Sequence, residues 1–314
     1  MYKRSVVLVL AAVIVISIAV IGVMAPRFKN HSNRGEGKIA IIHVEGMIIG
    51  GRGQTSLLSE AGGTDNIIRQ IHEARDDSSV KAVILRINSP GGSVPATQEV
   101  GEEIGKLRQA GKIVVASMGD MAASGGYWLA AVCDRIYANP GTLTGSIGVY
   151  MPYSNWEELY KKIGVRQEKI KSGTHKDILS PDRPMTEQEK AIIQTMVDEM
   201  YNQFVAVVAE GRKMDPAKVR QLADGRIYTG SQAQQLGLVD TLGNMHDAID
   251  GAANLAGIQG KAEIKEYGRM SPWSMLFGPS DMLNLVLDRM FIHQTSGVLP
   301  ITAPLAMPPD KWQW

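Results

Sequence analysis

Residues Val80–Ile87 (VKAVILRI) form a β-branched, mostly apolar run, typical of a strand buried on both faces of a sheet. The run ends in the turn Asn88-Ser89-Pro90-Gly91-Gly92, and a helical stretch, Thr97–Gln109, follows. A second strand, Ile113–Ser117, then leads to another glycine-bearing turn within Met121–Trp128 (MAASGGYW) and a second apolar helix. Arg135–Ala138 reads as a further short strand and Lys38–Val44 as one upstream. Strands alternating with helices of this length predict βαβ units and an α/β fold with a mostly parallel sheet. In such sheets active residues gather in loops beyond the carboxyl ends of the strands. Gly91 and Ser124 both lie in loops of that kind.

Ser124 stands at a strand-to-helix turn, where a side chain is exposed beside the amides of a helix N-terminus. That geometry presents a nucleophile and stabilises an oxyanion together. The plainer reading is an N-capping serine in a glycine turn; the edge shared with Gly91 favours chemistry. A hydrolytic serine needs a base. The six histidines are His31, His43, His72, His175, His246 and His293, and only His175 sits in a glycine-bearing loop. Beside it is Lys176. A lysine can serve as base when neutral. From an ordinary value near 10.4 that requires a fall of about three units, roughly 4 kcal/mol, which burial can supply. Taken alone, Lys176 reads as a surface lysine in a loop.

The remainder of the chain frames these residues. Ser5–Met24 is a twenty-residue uncharged stretch behind Lys3 and Arg4, enough for a transmembrane helix. Its apolar length exceeds that of a cleavable leader, and Pro26 is poorly placed after a cleavage site. We expect an uncleaved anchor (5–24) behind a cytoplasmic stub (1–4), with a tether over 25–37. Basic residues on both sides leave the positive-inside rule nearly silent, and a large domain outside the cytoplasm is the preferred orientation. Gly50–Gly63 reads as a loop, with Thr64 capping a helix that carries Ile67, Ile68, Ile71 and Ala74. Asn155–Ile163 reads as a short helix and Val165–Lys171 as a strand. Thr186 and Glu189 form a capping box for the longest helix, ending near Gly211, whose stripe Ile193, Met196, Met200, Phe204 and Val208 suits a core or a subunit interface. Helices around Pro216–Leu222, Ser231–Leu236 and Met245–Ala256 precede a last strand, Ala262–Tyr267. Beyond it, 268–297 is apolar enough to meet a partner or a membrane. Residues 298–314, with four prolines and no periodicity, read as a disordered tail. A net charge of +1 gives no reason to expect nucleic acid. The single cysteine, Cys133, excludes an internal disulfide and a multi-cysteine metal site.

Four segments between Lys38 and Tyr267 resemble, in order, the motifs of the signal peptide peptidase A (SppA) family of membrane-bound serine proteases, in its short single-module form. Asn88–Gly92 resembles the family's oxyanion loop and nominates the Gly91 amide; Met121–Tyr127 nominates Ser124 as nucleophile, with an amide near Gly125 completing the oxyanion hole. Thr144–Gly148 nominates Ser146 as the residue that orients the lysine. Lys171–Asp177 nominates Lys176 as general base. Arg226–Asp240 is also family-like and reads as structural. The resemblance implies a ClpP/crotonase-like spiral of ββα units over 38–267 and no metal, nucleotide or other cofactor. It also implies a homo-oligomeric ring, commonly an octamer, whose chamber faces the membrane. The implied substrates are signal peptides left in the bilayer after preprotein processing, and the implied site is the cell membrane. Two rivals stay open at this level. One is a crotonase-like acyl-CoA enzyme, which also pairs backbone amides around an oxyanion; the other is a membrane-tethered scaffold without activity.

Overall fold

The structure is a computed structural model, and it describes residues 34–51 and 63–267. The expected anchor, most of the tether and both C-terminal segments lie outside the described residues. Among the described residues no helix is long and apolar enough to cross a membrane.

The sheet is built as the alternation predicts. Strand β1 (Arg34–Glu45) is followed by helix α1 (Thr64–Asp76), β2 (Val80–Ser89), α2 (Val94–Gln109), β3 (Ile113–Ala123) and α3 (Gly125–Ala131). After β4 (Arg135–Ala138) and β5 (Leu143–Gly145) come α4 (Glu157–Lys162), α5 (Glu187–Arg212) and α6 (Pro216–Leu222). The chain continues through β6 (Ile227–Thr229), α7 (Gly230–Gln235), β7 (Thr241–Leu242), α8 (Met245–Leu255) and β8 (Lys261–Glu266). Eight strands make one sheet in the order β6-β5-β3-β2-β1-β8, with β4 bridging β3 and β7. All pairs are parallel except β5 with β6. This mixed α/β architecture fits a ClpP-like fold.

Alternation along β1, β2 and β3 divides the core between the two sheet faces. Ile42, Val44, Leu85, Ile87, Ala116 and Met118 pack against α1, α2 and α3 on one face. Ile39, Ile41, Ala82, Ile84 and Val115 meet Ala248 and Ala252 of α8 on the other. Strand β3 places the candidate site. Its first half pairs with β4 (Val115 opposite Arg135) and its last residues with β5 (Ala123 opposite Gly145), so Ser124 emerges where the sheet changes partner.

Three local expectations are corrected. Val165–Lys171 forms no strand: the polar run Arg166–Lys169 has no ladder partner, and Val165 and Ile170 stay exposed. Thr64 does not cap α1. Gly63 holds that position, and the Thr64 side chain is fully buried. Helix α2 begins three residues earlier than expected because Pro95 fits the first helical turn, where no N–H is needed. The Thr186–Glu189 capping box forms as expected. Of the expected stripe on α5 only Phe204 and Val208 are buried, whereas Met196 is 48% exposed.

Candidate active site

Ser124 adopts φ 52°, ψ −121°, between the end of β3 and the first residue of α3. A non-glycine residue there costs about 1–3 kcal/mol unless its surroundings impose it. Two backbone bonds do so. The Ser124 N–H donates to the Gly145 carbonyl at 2.9 Å, and its own carbonyl accepts from the Trp128 N–H at 2.9 Å. The Ser124 side chain makes no cap bond to α3, so the capping reading of this serine is not realised.

The turn Ser89–Gly92 closes on Ser124 from β2. Gly91 sits at φ +99°, and a Cβ added there would lie 2.7 Å from both the Ser124 Cβ and the Gly125 nitrogen. The Gly91 N–H donates to the buried Ser89 Oγ at 3.1 Å, so it is engaged inside the turn. Gly92 is the turn residue that lines the pocket beside Ser124, and its nitrogen lies 3.4 Å from where a Gly125 Cβ would stand. The two consecutive glycines are indistinguishable by residue type; the Ser89 side chain engages the amide of the first.

Ser146 is brought close through the backbone, being the neighbour of Gly145, and shares a positive φ of 50°. Its N–H donates to the Arg226 carbonyl at 2.8 Å. The Arg226–Asp240 segment is structural, as read: Leu238 accepts the Tyr127 hydroxyl at 2.9 Å, and Asp240 pairs with Arg212. Burial pushes the Tyr127 hydroxyl and the Cys133 thiol far up, leaving both inert.

The pocket at Ser124 holds about 20 Å³, room for one water. Gly92, Val94, Thr97, Gly125, Trp128, Gly148, Val149 and Phe204 line it with Ser124. Among the described residues no histidine and no lysine does. His43 bonds Glu266 at 3.0 Å and His72 bonds Glu103 at 2.7 Å. His175 lies against Glu189, Nδ1 to Oε1 at 3.6 Å.

Lys176 is exposed and stands apart from this pocket. Its neighbour Asp177 is held by Arg183, which also holds Glu189 on the first turn of α5. Phe204, at the pocket, is fifteen residues further along that helix, about 22 Å at 1.5 Å per residue. A lysine side chain spans only a fraction of that distance. The structure gathers Ser124, Gly125, Gly92 and Ser146 at one turn and leaves Lys176 exposed, outside the lining of this pocket. The apolar residues Tyr150, Trp156, Leu159, Ile163 and Ile170 upstream of it are exposed, and α4 buries none of its residues.

Comparison with known proteins agrees with this architecture. Residues 106–259 match the model of peptidase family S49. A Synechocystis sp. protein named "Putative protease" is 44% identical over 260 residues, covering 82% of this chain and 89% of the relative. Protease 4 of Haemophilus influenzae is 40% identical over 73% of this chain, which spans 37% of that protein. Serine protease SPPA, chloroplastic, of Arabidopsis thaliana is 37% identical over 76% of this chain, which spans 35% of that protein.

Proposed function

The chain belongs to peptidase family S49 and is a serine protease, and from that premise we propose that Ser124 is its nucleophile, Lys176 its general base, and leftover signal peptides its substrates. The observation that carries the reading is the Ser124 turn. A positive-φ serine, locked by Gly145 and Trp128, faces a small pocket beside Gly92 and the first amide of α3.

In this reading the Lys176 amine removes the Ser124 hydroxyl proton as Oγ attacks the scissile carbonyl. The amides of Gly92 and Gly125 receive the developing oxyanion, and each such donor is typically worth about 3 kcal/mol. The protonated amine then gives its proton to the leaving nitrogen, and the same cycle activates water for deacylation. Ser146, adjacent to the Ser124–Gly145 bond, orients the amine. The span of about 22 Å along α5 supports an arrangement in which the amine reaching Ser124 comes from another copy of the chain. The exposed apolar residues of the Lys176 segment fit such a contact, since among the described residues nothing covers them. A heterologous contact of this kind repeats around a closed ring, in keeping with the oligomer that the SppA resemblance implies.

The lining of Val94, Val149, Trp128 and Phe204 suits a small apolar side chain at the residue before the cut. An apolar Ser5–Met24 anchor would hold the enzyme at the membrane, where cleaved signal peptides remain. Reaction with a fluorophosphonate, followed by mapping of the modified residue, tests the assignment. Labelling at Ser124 that K176A suppresses is the expected result, and equal labelling of wild type and S124A would refute it.

A further inference from the structure

The segment between α4 and α5 has no strand, and among its described residues the order is supplied by charge. The Asp177 carboxylate accepts from Arg183 Nε at 3.0 Å and from Lys171 Nζ at 2.8 Å. The other edge of the Arg183 guanidinium reaches Glu189, with bonds of 2.8 and 2.7 Å to its two oxygens. Glu189 is 1% exposed and also accepts the Thr186 N–H at 2.9 Å, closing the cap of α5. Lys169 pairs with Asp182 and Ser180. His175, on the other side of Lys176, rests against the same Glu189 carboxylate.

Both neighbours of Lys176 are thus tied to one ion pair, while its own side chain is left exposed. A carboxylate as buried as Glu189 is costly without its cation. A capping box alone needs no such burial, because the backbone of a first turn is satisfied at the surface equally well. The arrangement does something a cap does not: it fixes the main chain on either side of one outward lysine.

We infer that Arg183 is a positioning residue, which grips Asp177 and Glu189 together and so holds the Lys176 loop on the first turn of α5 at the place where its amine meets Ser124. The inference rests on the Ser124–Lys176 reading above. Arg183 touches no reacting atom; it acts only through the placement of Lys176. Its planar fork satisfies two carboxylates at once, which a lysine at that position does not reproduce.

A double-mutant cycle separates positioning from general damage. The rate of Ser124 labelling by a fluorophosphonate is measured in the assembled full-length enzyme for wild type, R183M, K176A and the double variant. R183M is expected to slow labelling at least about tenfold, within the roughly hundredfold that a misplacement of about 1 Å can cost, and to lower kcat while leaving KM within about twofold. In the K176A background R183M should change the rate by less than about twofold, because nothing is left to position. Equal slowing in both backgrounds would show that Arg183 acts independently of the lysine and would overturn the inference, as would an R183M enzyme with wild-type kcat. K176A labelling as fast as wild type would instead overturn the dyad itself, whatever R183M does. Should R183M fail to fold, R183K carries the same test, with a smaller loss expected in the wild-type background and none in K176A.

Discussion

Alanine at Gly91 perturbs the site without removing any reacting group. The new Cβ would stand 2.7 Å from the Ser124 Cβ, 2.7 Å from the Gly125 nitrogen and 2.9 Å from the Ala123 carbonyl oxygen. These atoms belong to backbone or to a Cβ, so no flexible side chain can swing away. The residue must also hold φ +99°. Strain at such a φ costs about 1–3 kcal/mol, and overpacking adds about 1–3 kcal/mol. The relief available is a shift of β2's terminal turn away from Ser124 by a substantial fraction of an ångström. A displacement of about 1 Å at reacting atoms costs on the order of a hundredfold in rate. We therefore expect G91A to lose about 2 kcal/mol or more of stability, a Tm lower by about 5 °C or more, and kcat reduced about a hundredfold. Differential scanning calorimetry and turnover of an apolar peptide measure the two effects. A G91A enzyme with wild-type Tm and with kcat within twofold would refute the packing of the turn against the nucleophile.

Three further outcomes follow from the same geometry. K176A should abolish peptide turnover while H175A retains most of it, because the His175 ring rests on the buried Glu189 carboxylate whereas Lys176 is exposed and outward; steady-state assays of both variants check this. Peptides with alanine before the cut should be preferred over those with phenylalanine by about 10–200-fold in kcat/KM, the range a tight apolar pocket provides, and equal rates would contradict the lining described. Arg183, with the Thr186 amide, holds the Glu189 carboxyl down at about 2, from an ordinary 4.5. A lowered value means stability that is fully present above the ordinary carboxylate value and is lost as pH falls toward the folded one. The Tm of wild type should decline as pH falls through that window, and E189Q should show a shallower decline, with lower stability at neutral pH.

The sheet was legible because its strands are buried on both faces, so apolar runs such as Val80–Ile87 carry the signal without help from tertiary context. The Ser124 turn was legible for a related reason: only a strand-to-helix corner packed against another turn demands glycines at 91, 125 and 126 together. The engaged state of the Gly91 amide was not, since it depends on where the Ser89 hydroxyl points. The Val165–Lys171 run looked like a strand because β-branched residues flank it, yet strand formation needs a neighbour that this segment lacks. The grip of Arg183 on Asp177 and Glu189 was hidden as well. The capping box at Thr186 pointed to Glu189, but nothing in the spacing said that an arginine six residues earlier would share its carboxylate. The absence of Lys176 from the lining of the Ser124 pocket was equally invisible, because motif order carries no information about distance in the fold.

In the proposed site the serine and the lysine belong to different copies of the chain. Co-expression of S124A and K176A, each inactive alone, tests it directly. In an evenly mixed ring with heterologous contacts, about a quarter of the sites would pair an intact serine with a neighbour's intact lysine. Peptide turnover near that fraction of wild type is expected from the mixed assembly. No turnover from a mixed ring that demonstrably contains both variants would contradict it.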